Sequence, residues 1–225
     1  MEHTTSGVGV LDKSVALLRT LAVGPRSLTA LGHETGLPKP TVHRLVTALA
    51  VHGLVRRTGD NTVALGVDLV GLGRAAASGW PWSDAAGPVL AALVEATGES
   101  AQLYVRDGDV RVCLLAHQSP HELRTIVGEG ARLPLGHGSA GRILAGPTRD
   151  SGPAASGDGT TGWVESVEER ASGVASVSAP VRDPDGRVVA AVGVSGPIER
   201  LGPSPGARVG AAVVTAAARI SAAVE

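Results

Sequence analysis

Phenylalanine is missing from this sequence altogether, and tyrosine occurs once, at Tyr104. Trp80, Trp82 and Trp163 complete the aromatic set, so any core must be built from valine, leucine, alanine and isoleucine. The same scarcity leaves no stacking platform for unpaired bases, which weighs against a single-strand or RNA binder of the aromatic-sheet kind. A single cysteine, Cys113, excludes an internal disulfide framework and a zinc site built on several thiolates. No apolar run resembles a secretion signal, and none approaches the roughly 18 residues needed to cross a bilayer; the expectation is a cytoplasmic protein without a membrane partner.

The chain has 225 residues, enough for two domains of ordinary size and a connecting element. Its net charge of −1 argues at first against nucleic acid. The distribution reverses that impression. Through Gly66 there are seven lysines and arginines against four acids, whereas acids exceed bases by four in the remainder. Such asymmetry suits a small DNA-reading module joined to an acidic domain with another task.

The stretch Ser27 to Leu49 organises the basic half. Val42, Leu45, Val46 and Leu49 recur at i, i+3, i+4 and i+7, one apolar helix face, while Lys39, Thr41, His43, Arg44 and Thr47 fall elsewhere on the turn. Ser27 is a good N-cap for a preceding helix that buries Leu28 and Leu31, and Gly36 followed by Leu37-Pro38 ends that helix. Two short helices joined by a glycine turn outline a helix-turn-helix, whose second helix contacts base edges with its N-terminal residues. Val55-Arg56-Arg57 and Val63-Ala64-Leu65, on either side of Gly59-Asp60-Asn61, then read as a hairpin. The combination predicts a winged helix, with Arg56, Arg57 and Asn61 placed to touch phosphates or the minor groove.

Upstream, Val10 to Ala22 is an apolar helix with Leu11, Val15, Leu18 and Ala22 on one face and Leu17 and Leu21 close beside it. That arc is wider than one side of a small bundle requires; it can serve the core throughout or meet a partner subunit. Residues 1 to 7 are a loose polar tail. After the wing, residues 67–77 read as a linker helix weakened by Gly71 and Gly73. The predicted organisation is a DNA-binding domain over 7–66, a linker helix over 67–81 and a second domain over 82–225. In the second domain a helix from about Trp82 to Ala96 precedes a meander: Ala101 to Val105, Val110 to His117 and Glu122 to Val127. A later hairpin turns at Pro184-Asp185-Gly186, and a helix from about Gly206 to Val224 carries Val209, Val213, Ala216, Ala217 and Ile220 on one face. This is an α+β arrangement with one mixed sheet flanked by helices.

Between the strand blocks lies GEGARLPLGHGSAGRILA, Gly128 to Ala145. Gly136, Gly138 and Gly141 spell G-x-G-x-x-G, but no clear βαβ unit surrounds them and no acid sits in a convincing context about 20 residues on, so a dinucleotide site is rejected. Ser139 is not in a nucleophile elbow, because His137 stands two residues before it. What survives is a short helix whose small first residues leave backbone N–H groups open to a carboxylate or phosphate. His117 and His121 are separated by Ser119-Pro120, which prevents the helix that would align two metal-binding rings; they read as a surface loop. No metal and no cofactor is expected. Arg149 to Thr161 is low-complexity sequence read as a flexible loop.

SLTALGHETGLPKPTVHRLVTALAVHGLVRR resembles the winged helix of the IclR transcriptional regulators. GEGARLPLGHGSAGRILAG and VEERASGVASVSAPVRDPDGRVVAAVGVSGP resemble that family's effector-binding domain, and all three motifs stand in the family's order. The resemblance implies a DNA-binding repressor or activator, a homodimer or tetramer assembled partly through the N-terminal domain, and no enzymatic activity. It also implies a GAF/profilin-like C-terminal domain that binds a small organic molecule, often an acid. Carried over, Ser27 to Val46 match the helix-turn-helix, Gly136 to Gly141 the pocket loop, and Glu169, Gly173, Ser176, Ser178, Ala179 and Pro180 the second motif. Two departures stand out: Pro40 replaces a usual serine or threonine, and a short Gly/Ser/Ala-rich segment between Ala145 and Trp163 replaces a longer helical stretch.

The resulting expectation is a sequence-specific regulator of double-stranded operator DNA, with Ser27, Lys39, Thr41, His43, Arg44, Thr47, Arg56, Arg57 and Asn61 at the DNA. A small carboxylate-bearing or amino-acid-like effector would meet Tyr104, Cys113, Gly136, His137, Ser139, Ala140, Ser176 and Ser178. Two alternatives remain open at this stage: an effector-independent oligomeric DNA-binding protein, and an enzyme acting at the glycine loop, which lacks a base and orienter around Ser139 or His137.

Overall fold

A computed structural model of the chain describes residues 6–146 and 162–224. The tail and the Gly/Ser-rich segment anticipated as loops lie, for residues 1–5 and 147–161, outside the described residues. The chain divides into two compact units, Met1–Ala77 and Ser78–Glu225.

The first unit begins with α1 (Gly9–Ala22), β1 (Arg26–Ser27), α2 (Leu28–Thr35) and α3 (Lys39–Val51), followed by β2 (Val55–Arg57) and β3 (Thr62–Leu65). Its core unites Leu17 and Leu21 of α1 with Leu31, with Val42, Leu45, Val46 and Leu49 of α3, and with Val55 and Val63. The expected inner stripe of α1 is corrected here: Leu11 and Ala22 are exposed, and Leu17 and Leu21 are the residues that pack inward. The helix carries two apolar stripes of similar strength, and periodicity cannot rank them; α2 and α3 select one by packing on it. Gly36 adopts φ 69°, the left-handed conformation that turns α2 into α3 without a β-carbon penalty. The hairpin forms in the expected place, with Asn61 at φ 55° in its turn. A two-residue strand too short to see in the sequence, β1, pairs with the other edge of β3 and closes a three-stranded sheet in the order β1-β3-β2. The connecting helix α4 (Asp68–Ser78) buries none of its residues.

The second unit contains α5 (Ser83–Thr97), β4 (Ser100–Asp107), β5 (Val110–His117), β6 (Arg132–Pro134), α6 (Gly138–Ala145), β7 (Val164–Val167), β8 (Val174–Arg182), β9 (Val188–Pro197), α7 (Ile198–Leu201) and α8 (Pro205–Ser221). One six-stranded sheet runs β6-β5-β4-β9-β8-β7. The expectation of a mixed sheet is overturned: every pairing among the described residues is antiparallel, since two hairpins, β4-β5 and β8-β9, join through an antiparallel β4-β9 seam. The anticipated strand Glu122 to Val127 does not form either. The Arg124 side chain donates to Gln118 Oε1 and to the carbonyls of His121 and Glu122, holding that segment in turns with Leu123 and Ile126 exposed. The third strand of the meander comes later, as β6.

Strand alternation sorts the sheet into two faces. Leu103, Val105, Val177, Ala179, Val181 and Val192 pack with α5 and α8, where the predicted stripe of Val209, Val213, Ala216, Ala217 and Ile220 is buried. Tyr104, Cys113 and Ala191 face the other way, against Ala140 and Leu144 of α6. Gln102, Ser176, Ser178 and Ser195 occupy alternate positions on this second face, and they build the cavity described next.

Candidate nucleic-acid interface and small-molecule cavity

Helix α3 is set by its own sequence. Pro38 is its N-cap, with its carbonyl accepting from the Thr41 and Val42 amides at 2.9 and 3.1 Å, and Pro40 occupies the first turn, where a missing N–H costs nothing. With Val42, Leu45, Val46 and Leu49 buried, Lys39, His43, Arg44 and Thr47 stand exposed and Thr41 is half-buried. Ser27 caps α2, its Oγ accepting from the Ala30 amide at 3.1 Å. On the hairpin Arg56, Arg57 and Asn61 are exposed; as consecutive strand residues the two arginines project to opposite faces of the ribbon. Among the described residues none of Lys39, Arg44, Arg56 and Arg57 is held in an ion pair, so these cations remain available to an anionic partner. Pro40 has no amide to offer, which leaves phosphate contact at this helix start to side chains.

In the second unit a small cavity, partly open to solvent, lies between α6 and the polar face of the sheet; its interior of about 30 Å³ has room for one or two water molecules. Of the anticipated ligand residues, Tyr104, Ser139, Ala140, Ser176 and Ser178 line it. Ser139 Oγ donates to Ser176 Oγ at 2.9 Å and lies 2.7 Å from Ser178 Oγ, so three hydroxyls meet at one point. Gly193, opposite Ser178, leaves space for that hydroxyl which a β-carbon would fill. Ser195 Oγ donates to Gln102 Oε1 at 3.2 Å on the adjoining strand.

Cys113, Gly136 and His137 are not brought to the cavity. Cys113 is fully buried with Val127 and Leu144, its thiol pushed up to about 12 by burial, with the charge of Glu129 acting the same way. Gly136 and His137 are exposed; the His137 ring lies 3.4 Å from the Leu135 carbonyl through Nδ1, and the His137 carbonyl accepts from Arg111. The α6 amides are also less open than the small residues suggest, because the Gly138 N–H already donates to Glu169 Oε2 at 3.0 Å. Glu169 is in turn bound to Arg142 at 2.7 Å.

Sequence reasoning missed Gln102, Ser166, Arg170 and Ser195 of the lining, and above all Arg111. It lines the cavity at 3 % exposure, with Nη1 donating to the carbonyls of Pro134 and His137, both at 2.6 Å. Its guanidinium carbon lies 5.4 Å from the centroid of the Tyr104 ring, a cation–π distance. Burial lowers the Arg111 pKa, partly offset by Tyr104, and the charge of Arg170 lowers it further. Burial also raises the Tyr104 hydroxyl well above its ordinary value. Arg170 lines the same cavity. A signal was present: on β5 Arg111 shares a face with Cys113, so an arginine stands in phase with a core position.

Comparison with known proteins gives the following. Residues 10–59 match the IclR helix-turn-helix domain, and residues 159–222 match the C-terminal domain of bacterial IclR transcriptional regulators. The chain is 30% identical to the glycerol operon regulatory protein of Streptomyces griseus, over 94% of each chain. It is 26% identical to the transcriptional repressor IclR of Escherichia coli K12, over 96% of this chain and 90% of that one. An IclR homologue from Microbacterium hydrocarbonoxydans, crystallised with 4-hydroxybenzoate, shares the fold with a TM-score of 0.75 at 20% identity, over 96% of this chain and 98% of that one.

Proposed function

We propose, for a chain that belongs to the IclR family of DNA-binding transcriptional regulators, that it is an operator-specific repressor whose affinity for DNA is set by a small organic acid. The family is one of regulators, not of enzymes. The observation that carries the reading is the outward flank of α3, where Lys39, His43, Arg44 and Thr47 are exposed while the opposite face is wholly buried. Arg44 and Lys39 contact guanine edges or phosphate, Thr41, His43 and Thr47 add hydrogen bonds, and Arg56, Arg57 and Asn61 position the wing on the backbone.

The protein acts as a homodimer or tetramer on a pseudo-palindromic site, one winged helix per half-site. Exposed Val8, Val10 and Leu11 around α1 and Val67, Val70 and Leu72 around α4 give the first unit more apolar surface than a monomeric DNA-reading module needs, which supports assembly. The effector occupies the serine-lined cavity, where hydroxyls and a buried guanidinium suit a carboxylate, and it favours one spacing of paired winged helices over another. A homologue of the same fold crystallised with 4-hydroxybenzoate supports a small organic acid as the kind of effector. Mapping bound sites across the genome and footprinting one of them tests the reading: two protected half-sites about 10 base pairs apart, or a multiple of that, are expected. Absence of any preferred duplex at low salt overturns it.

The small volume favours a second reading, a regulator that works without an effector. Thermal-shift measurements against organic and amino acids separate the two, since the second predicts no stabilisation by any of them.

A further inference from the structure

The cavity holds more positive charge than its own residues neutralise. Arg111 is 97 % buried, yet its only hydrogen-bond partners are two carbonyls, and its Nε is buried without a partner among the described residues. Arg170 lines the same space, close enough for its charge to act on both Arg111 and Tyr104. The acid beside them, Glu169, is committed to Arg142 and to the Gly138 amide. No carboxylate pairs with either Arg111 or Arg170 among the described residues. A buried cation without a counter-charge is costly, and Arg111 is one; Arg170, which is exposed, adds a second positive charge at the mouth of the same cavity.

We infer that the cavity is specific for a small doubly charged anion, a dicarboxylate or a phosphate monoester, with Arg111 gripping one acidic group from inside and Arg170 the charge nearer the surface. This rests on the reading of the cavity as the effector site and adds the ligand's charge to it. A guanidinium donates two parallel hydrogen bonds to a carboxylate or a phosphate, so each arginine accounts for one charged end or edge. The Ser139 proton is already given to Ser176, so the Ser176 hydroxyl is the one that adds a neutral donor. A monoanion of similar size leaves one guanidinium uncompensated and is disfavoured for that reason.

Isothermal titration of the full-length protein at fixed ionic strength tests this with malonate, methyl phosphate and propionate as probes, and sodium chloride as control. The expected result is binding of malonate or methyl phosphate about tenfold or more tighter than propionate, the worth of one charge-assisted hydrogen bond. Whichever dianion binds more tightly identifies the acidic group. Arg170→Gln, on an exposed residue that the fold does not need, should bring the dianion down to the affinity of propionate, and Arg111→Met should abolish binding of all three. Equal affinity for propionate and both dianions, or an unchanged preference in Arg170→Gln, overturns the inference while leaving the effector site standing. Failure of every acid to bind overturns both.

Discussion

Arg111 and Gly141 share one space: a β-carbon on residue 141 would collide with Nη1 of the Arg111 guanidinium. The first turn of α6 therefore reaches the sheet only because residue 141 has no side chain. Gly141→Ala should drive the guanidinium off the carbonyls of Pro134 and His137 and lower stability by about 1–3 kcal/mol, the usual cost of overpacking. For a chain of this size each kcal/mol corresponds to about 2–4 °C in the midpoint of thermal unfolding. A midpoint equal to that of the parent would show that the guanidinium moves aside without cost.

Arg44→Ala addresses the DNA-reading helix. The side chain is exposed and outside any ion pair among the described residues, so the fold should be untouched. If Arg44 reads a base, operator affinity falls by about 1–3 kcal/mol and discrimination relaxes at one position. Arg57→Ala should instead weaken all duplexes alike and reduce the salt dependence by about one unit of slope. Gel-shift titrations at several salt concentrations distinguish the two, and unchanged affinity for the first variant removes Arg44 from the reading surface.

Arg44 and Arg57 were both named from the sequence, whereas Arg111 was not. The buried face of α3, the hairpin around Asp60 and the inner stripe of α8 were all visible, because each is decided by local period or turn chemistry. The stripe of α1 was not, since Leu11 and Leu17 are equally apolar and only the packing of α2 and α3 separates them. Glu122 to Val127 alternates like a strand, but Arg124 closes local turns there. At two and four residues, β1 and β7 carry too little pattern to be read. Ser139, Ser176 and Ser178 were named through the motifs that resemble the family's effector-binding domain, whereas Arg111 depends on carbonyls more than twenty residues away.

A third prediction concerns Glu99, whose side chain is 3 % exposed and accepts two hydrogen bonds from Arg200, at 2.6 and 2.8 Å. Gly196 lies so near that a β-carbon there would strike the carboxylate. Arg200→Met leaves a buried carboxylate without its cation and should destabilise the second unit by about 2–3 kcal/mol, the lower end for a buried pair because Arg200 is partly exposed. Urea unfolding measures it; a loss under 1 kcal/mol would mean that water replaces the arginine.

Alkaline pH offers a fourth measurement. The Cys113 thiol ordinarily ionises near 9.0, and burial holds it protonated to about 12 in the folded chain. Raised in the fold, this group favours the native state fully below pH 9, and its contribution is lost as the pH climbs from 9 towards 12. Tyr104 acts in the same direction, because burial raises its hydroxyl too. The denaturation midpoint should fall between pH 8 and pH 10.5, less so in Cys113→Ala. Iodoacetamide at pH 8 should label the thiol only after unfolding; prompt labelling of the native protein would show that the site opens.

Ser27 ends β1 and at the same time caps α2, while β1 is laced to the far edge of the hairpin strand β3. The hairpin has no hinge of its own, because its second strand, β3, lies between β2 and β1, and β1 leads directly into the first helix of the reading pair. A change of grip on an operator would therefore move the module bodily, as one stiff hand without a finger that bends.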